Sequence, residues 1–318
     1  MAITPAGSWA TGVAVTNTTA ATFIPELWSD EIIAAYKANL VMPQLVTVMN
    51  HTGKKGDTIH IPKPTRGSAS AKASEAQVTL IAATEGEEVY TIDQHFEYSR
   101  LIEDITAVQA KDSLRRFYTD DAGYALAVNL DTALHTQAAD FRRTTSAYDG
   151  FVIGGDGVTA WDPTANTNAG NGTALSDDGV RAMLQDLDDS DVPSMGRAFV
   201  IPPVTANTLR GLARFTEQAF VGEVAGGNTI RNGIVGDLYG VPVYVSTQCA
   251  TVTADDTTTD YRACLLLQKE AELLIEQMGP RSQRQYKQEY LADLFTSDVL
   301  YGTGILRDEG ALGFIVPV

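Results

Sequence analysis

Between Asn50 and Arg100 a polar, glycine-punctuated run separates two segments with regular apolar spacing. Thr58, His60 and Pro62 alternate with Ile59, Ile61 and Lys63, the period of a strand with one covered face. A second arm alternates through Val89, Ile92 and Phe96, and the small-residue tract Gly67 to Ala73 lies between the two. The pattern predicts a long hairpin over residues 48–98 whose tip has almost nothing apolar to set against its own domain. Two strands alone are marginal in water, so such a hairpin points to support from another subunit.

Helical spacing flanks the hairpin on both sides. In FIPELWSDEIIAAYKANLVMPQLV, Pro25 suits a first turn, Glu26, Asp30 and Glu31 favour the positive helix end, and Leu27, Ile32, Ile33, Tyr36 and Leu40 form an apolar face, with Pro43 marking the exit. The longest helical signal runs from Ile105 to Phe141. It is proline-free, with glycine only at Gly123, and would make a rod of roughly 50 Å if continuous. Residues Asp149 to Asp178 read as loop, and Ser176 is placed to cap a helix over Val180 to Asp188. RAFVIPPVTANTLRGLA reads strand then helix, DLYGVPVYVSTQ turn then strand, and YRACLLLQ a buried strand, which together predict a compact α/β or α+β unit over 175–277. Asn228 to Gly236 reads as a loop and Arg281 to Gln288 as a polar stretch. The closing VLYGTGILRDEGALGFIVPV reads as short strands that return to the domain of the long helix. Residues 1–22 show no period and are expected to be an arm that orders against a partner, anchored by Trp9.

Composition narrows the classes. Hydrophobic content of 44 % over 318 residues supports a substantial core. No apolar run approaches the roughly 20 residues of a membrane span, and the N-terminal stretch lacks a signal-peptide pattern, so no membrane association is expected. Two separated cysteines, Cys249 and Cys264, fit a reducing compartment. Forty acidic against 23 basic residues give a formal charge of −17, the opposite of a sequence reader of nucleic acid.

A search for reactive constellations returns nothing concerted. His51, His60, His95 and His135 lack metalloprotease or zinc spacing. Gly154, Gly155 and Gly157 are followed by no phosphate-loop Lys–Ser or Lys–Thr pair, so turns are expected there. The acidic clusters Glu85, Glu87 and Glu88, Asp186, Asp188 and Asp189, and Asp308 with Glu309 read as solvated faces. Neither a catalytic set nor a cofactor or metal site is expected. The alternative of a different class is a carboxylate-dependent hydrolase using Asp186 or Asp188.

In their order along the chain, FIPELWSDEIIAAYKANLVMPQLV, GKKGDTIHIPKP, YSRLIEDITAVQAK, GDLYGVPVYVST and YLADLFTSDVLYGTGILRDEGALGFI resemble the major capsid proteins of tailed double-stranded-DNA bacteriophages. The resemblance implies an α+β, HK97-like capsid fold. Its parts are an N-terminal arm (1–22), a helix and lead-in (23–47), an extended hairpin loop (48–98), a spine helix with the first part of a peripheral domain (99–174), a capsomer-centre domain (175–277) and a return to the peripheral domain (278–318). It implies self-assembly into pentamers and hexamers of an icosahedral head around DNA contacted without sequence specificity, in a virion assembled in the host cytoplasm. Implied partners are a portal protein, a possible decoration protein and a scaffolding protein, the last expected as a separate chain because the arm starts almost at once. A bacterial encapsulating shell of the same fold is the nearer alternative. Interface candidates are Trp9, Lys54, Lys55, Arg66, Lys72, Glu87 and Glu88. Hairpin lysines cross-link to a neighbour in some relatives; no such bond is expected for Lys54, Lys55, Lys63 or Lys72.

Overall fold

The computed structural model describes residues 40–64, 67–75, 77–78, 80, 85–103, 112–142, 152–211 and 236–318, with side chains of the long helix described from Tyr118 onward. The arm with Trp9, most of the helix candidate starting at Phe23, Arg66 and the stretch from Asn228 lie outside the described residues.

The strands in chain order are β1 (Thr47–Asn50), β2 (Thr58–Pro64), β3 (Glu85–Thr91), β4 (Gln94–Glu103), β5 (Ile153–Gly154), β6 (Arg197–Ile201), β7 (Asp237–Leu238), β8 (Val241–Val245), β9 (Thr251–Thr253), β10 (Asp260–Gln268), β11 (Glu272–Lys287), β12 (Ala292–Ile305) and β13 (Ala311–Pro317). A four-stranded sheet has the order β1-β11-β12-β4, and a larger one the order β5-β13-β10-β6-β8-β7, with β9 also on β10. Among the described residues β2 and β3 pair only with each other.

The larger sheet is covered on both faces. In β10, Ala263, Leu265 and Leu267 enter one core, while Cys264 and Leu266 enter the other. This is why ACLLL reads as a continuous apolar run rather than an alternating one. One face carries the helices Asp177–Asp189 and Pro203–Gly211, through Val180, Met183, Leu187, Ala206 and Leu209. The first of these begins at Ser176, which has extended backbone and accepts a hydrogen bond from Gly179 N at 3.0 Å on Oγ, the N-cap the sequence predicts.

The long helix spans Asp112–Thr136 and passes into a 3-10 turn at Gln137–Ala139. Its 25 residues correspond to about 37 Å. It is shorter at its end than the sequence predicts, and residues 104–111 lie outside the description. Ala122, Leu126, Leu134 and Ala138 are buried at four- and eight-residue spacing, an inward stripe. Leu126, Leu134 and Ala138 of that stripe share one core with Leu274, Val299 and Tyr301 of the four-stranded sheet and with the second face of the larger sheet.

Pro43 lies in the first turn of the one-turn helix Met42–Leu45, and the helix candidate whose exit it is expected to mark lies largely outside the described residues. Two sequence expectations change. The polar stretch from Arg281 is the outer half of β11, a strand of 16 residues laddered to β12. The tail divides: β12 returns to the sheet beneath the long helix, but β13 joins the larger sheet between β10 and β5.

Candidate assembly surfaces

The β2–β3 hairpin is in register from Thr58 opposite Thr91 to Pro64 opposite Glu85. It is shorter than the alternation implies. The supposed second arm stops at Thr91, and Phe96 belongs to β4, which pairs with β12 and stacks its ring on Tyr301 at 5.9 Å. Ile92 and Asp93 lie between the two strands, where the chain changes sheets. Pro62 and Pro64 have no amide to donate, which is tolerated in a two-stranded ribbon whose outer edges are free.

The foot of this hairpin is firmly seated. Tyr90 and Ile92 pack with Leu273 and Ile275 on the sheet face opposite the long helix, and the Tyr90 hydroxyl donates to Ile305 O at 2.8 Å. Burial raises the Tyr90 phenol above its ordinary range, with Glu88 adding to the effect. Gly302 and Gly304 make the seat possible: a Cβ on Gly302 would stand 2.6 Å from Thr91 O, and one on Gly304 would enter the Tyr90 ring. The alternate glycines of YGTG are the sequence signal for such an approach.

Beyond the foot the hairpin is exposed, including Gly67 to Ala73. Lys54, Lys55 and Lys72 all face solvent. Glu87 is also exposed and Glu88 is half-buried, but each has a partner across the hairpin: His60 Nδ1 is 3.1 Å from Glu87 Oε2, and Lys63 Nζ is 3.3 Å from Glu88 Oε1. They brace the two strands against each other, so at a neighbour they would present paired rather than bare charge.

A second projection was not legible as such. The outer parts of β11 and β12, with β4 alongside, form a three-stranded arm ending in the turn from Gln288 to Leu291. Arg281 grips Asp298 with both nitrogens, Nε at 2.8 and 3.1 Å and Nη2 at 2.8 Å, and His95 Nε2 lies 3.2 Å from the same carboxylate. Those bonds, the Arg281 ones first, hold Asp298 below the ordinary carboxylate range. Arg284 pairs with Asp293 nearer the tip. There Tyr290 and Leu291 are 64 % and 65 % exposed, with Tyr286 and Leu101 close behind.

The chemistry-bearing residues stay apart. Cys249 and Cys264 are free and buried, and desolvation lifts the Cys249 thiol to about 12, so neither is poised as a thiolate nucleophile. Asp186 corrects the solvated-face reading, because it is buried on the inner side of its helix. Asp188 meets Arg197 Nη2 at 2.7 Å, and that guanidinium also donates to Val192 O and Pro193 O. Gly155 and Gly157 pack against the backbone of Thr173 to Leu175 and of Gly179, a packing joint instead of a phosphate cradle. Among the described residues no group of three or more His, Cys, Asp or Glu is arranged to hold a metal ion, and no helix is long and apolar enough to cross a membrane.

The chain, with its two main sheets, a long helix packed into one of the two large cores and two projecting β arms, matches solved capsid structures along nearly its whole length. A structure of Mycobacterium phage Che8 is 22 % identical, with a TM-score of 0.67 over 92 % of this chain and 97 % of that one. The capsid of cyanophage P-SCSP1u is 20 % identical, with a TM-score of 0.70 over 94 % of each chain. This is the fold of phage capsid subunits. The capsid of cyanophage Pam1, only 12 % identical, still gives a TM-score of 0.70 over 97 % of this chain and 99 % of its own, so the fold persists where little sequence is shared. No family model matches the chain, and no curated protein matches its sequence.

Proposed function

We propose that the chain is a major capsid protein, a structural subunit that self-assembles through pentamers and hexamers into an icosahedral head enclosing double-stranded DNA. The observation that carries this reading is the match to solved phage structures, the capsid of cyanophage P-SCSP1u among them, across more than nine-tenths of both chains' length. Two exposed β projections with firm roots are what a thin shell requires, since each extends the contact perimeter of a subunit beyond its own core. The hairpin, with Lys54, Lys55 and Lys72 on its open surface, is the first candidate contact. The tip around Tyr290 and Leu291 is the second, since exposed aromatic and aliphatic side chains favour interface cores. Scaffolding and portal proteins are the partners this role calls for and a decoration protein is a further candidate, with packaged DNA held without sequence readout and the virion as the final location.

Electron microscopy of the purified protein, expressed alone and with its candidate scaffold, tests the reading. Closed icosahedral particles are expected, and particles recovered from infected or induced cells should hold nuclease-protected double-stranded DNA. Closed particles that enclose protein cargo and no DNA would favour an encapsulating compartment. A small soluble oligomer under every condition would overturn the shell reading.

A further inference from the structure

Where the long helix crosses the four-stranded sheet, three ionisable side chains are shut away from water: Asp131 and Glu272 are 0 % exposed and His135 1 %. Asp131 and His135 stand one helical turn apart, Oδ2 to Nε2 at 3.4 Å. The other oxygen of Asp131 accepts from the amides of Val41 and Met42 at 3.1 and 2.9 Å. Val41 is the N-cap position of the helix Met42–Leu45 and has no side-chain cap of its own. Asp131 therefore supplies, from another element, the acceptor that a capping Ser or Asp would normally supply locally.

Glu272 opens β11 beneath the same helix. Its Oε1 accepts from the Gln137 amide at 3.0 Å, in the amide orientation in which the Gln137 oxygen accepts from Gly304 N at 3.2 Å and Thr303 Oγ1 at 2.9 Å. Among the described residues, Glu272 Oε2, Asp131 Oδ2 and His135 Nε2 have no hydrogen-bond partner. Asp131 and His135 approach from the long helix. From the sheet come Glu276, half-buried on the same face of β11, and Tyr301 of β12, opposite Glu276 and also without a partner for its hydroxyl. β1, the other neighbour of β11, brings no charge. The cations Lys269 and Arg307 are exposed, and Arg307 lies 3.8 Å from Glu270.

We propose that Glu272 is a proton-operated latch: while it carries its proton the long helix stays seated and Asp131 keeps the Val41–Met42 entry capped, and loss of that proton to solvent loosens the capped segment. An unpaired buried carboxylate is costly, and here it would form beside a second acid already committed to two amides. Desolvation, and then the Asp131 charge, hold the Glu272 carboxyl well above its ordinary value of 4.5. The sign follows from linkage. The folded state keeps a proton that the unfolded state has released, so this contribution is full below about 4.5 and is lost as pH rises through the folded value. The latch acts within one subunit and stands whether or not the chain builds a shell.

Hydrogen exchange of the peptide covering residues 41–46 in the full chain tests it, with rates corrected for intrinsic base catalysis between pH 6 and 10. The parent should lose protection with a slope approaching about tenfold per pH unit, the limit for one proton. Glu272→Gln, which keeps the Gln137 contact without a titrating group, should be flat. Asp131→Asn, whose amide oxygen still accepts from Val41 and Met42, removes the neighbouring charge, so Glu272 releases its proton at lower pH in the folded state and the loss of protection should level off at lower pH than in the parent. Asp131→Asn also decides the matter if Glu272→Gln does not fold. Parallel profiles for parent and Glu272→Gln, or an unmoved profile for Asp131→Asn, would overturn the proposal.

Discussion

What a methyl group would meet decides whether a glycine in this chain is dispensable. At Gly155 an added Cβ stands 2.6 Å from both Leu175 N and Thr173 O, all backbone with no freedom to yield. At Gly123, on the exposed side of the long helix, it meets nothing within 4 Å. Gly155→Ala should therefore lose about 2 kcal/mol to overpacking, while Gly123→Ala should gain about 0.5–1 kcal/mol, the ordinary helix benefit. Urea unfolding at fixed pH measures both, and equal shifts would contradict the packing joint. Sequence reading goes far at this scale when the cause is local. Ser176 was legible as a cap because its partner is three residues away. The burial of Asp186 was partly legible: it lies three residues after Met183 and next to Leu187 on the inward side, a periodicity that the acidic composition of DLDDSD obscured. Glu272, Asp131 and His135 were not legible as a group, because what buries them is the crossing of a helix over a sheet more than a hundred residues away in sequence.

Strands show the same division between local and distant causes. The β2–β3 hairpin announced itself through alternation, but its end did not. Alternation continues into β4, and only the register with β12 shows that Phe96 has changed partners. The outer half of β11 was hidden for another reason: with much of both faces exposed, Arg281 to Lys287 carry no apolar period from which a strand can be read. Two predictions belong to these elements. Gly304→Ala puts a methyl group into the Tyr90 ring and should break the Tyr90–Ile305 bond. The expected result is faster hydrogen exchange over Glu85–Ile92 and a stability loss of about 1–3 kcal/mol, with exchange in β6 and β10 unchanged. Deleting Gly67 to Ala73 touches only exposed chain, so thermal stability should stay within a degree or two of the parent while the yield of closed particles collapses. Normal particle yield from that deletion would show that the hairpin tip makes no essential contact between subunits.

At the scale of the molecule, the sequence conveyed the order of parts but not the route of the last one. Nothing in ALGFIVPV distinguishes a strand returning beside β12 from one crossing to β10, since either site would bury it on both faces. Charge is legible without any fold, and it yields the last prediction. Each copy carries a formal −17, so bringing copies together works against mutual repulsion over the distance that salt leaves unscreened, about 8 Å at 0.15 M and about 3 Å at 1 M. The cations on the two projections do little to offset this. Lys63, Arg281 and Arg284 already pair with acids of their own subunit, and the free lysines on the hairpin are few. Contacts built from the exposed apolar tip, Tyr290 and Leu291, also strengthen when salt is added. Both effects have the same sign, so the critical concentration for assembly should fall several-fold between 0.05 and 0.5 M sodium chloride. Light scattering across a protein dilution series reads this directly. A rise in critical concentration with salt would mean that opposite-charge pairs between subunits dominate the contacts, and would assign the salt response to Lys54, Lys55 and Lys72 rather than to the aromatic tip.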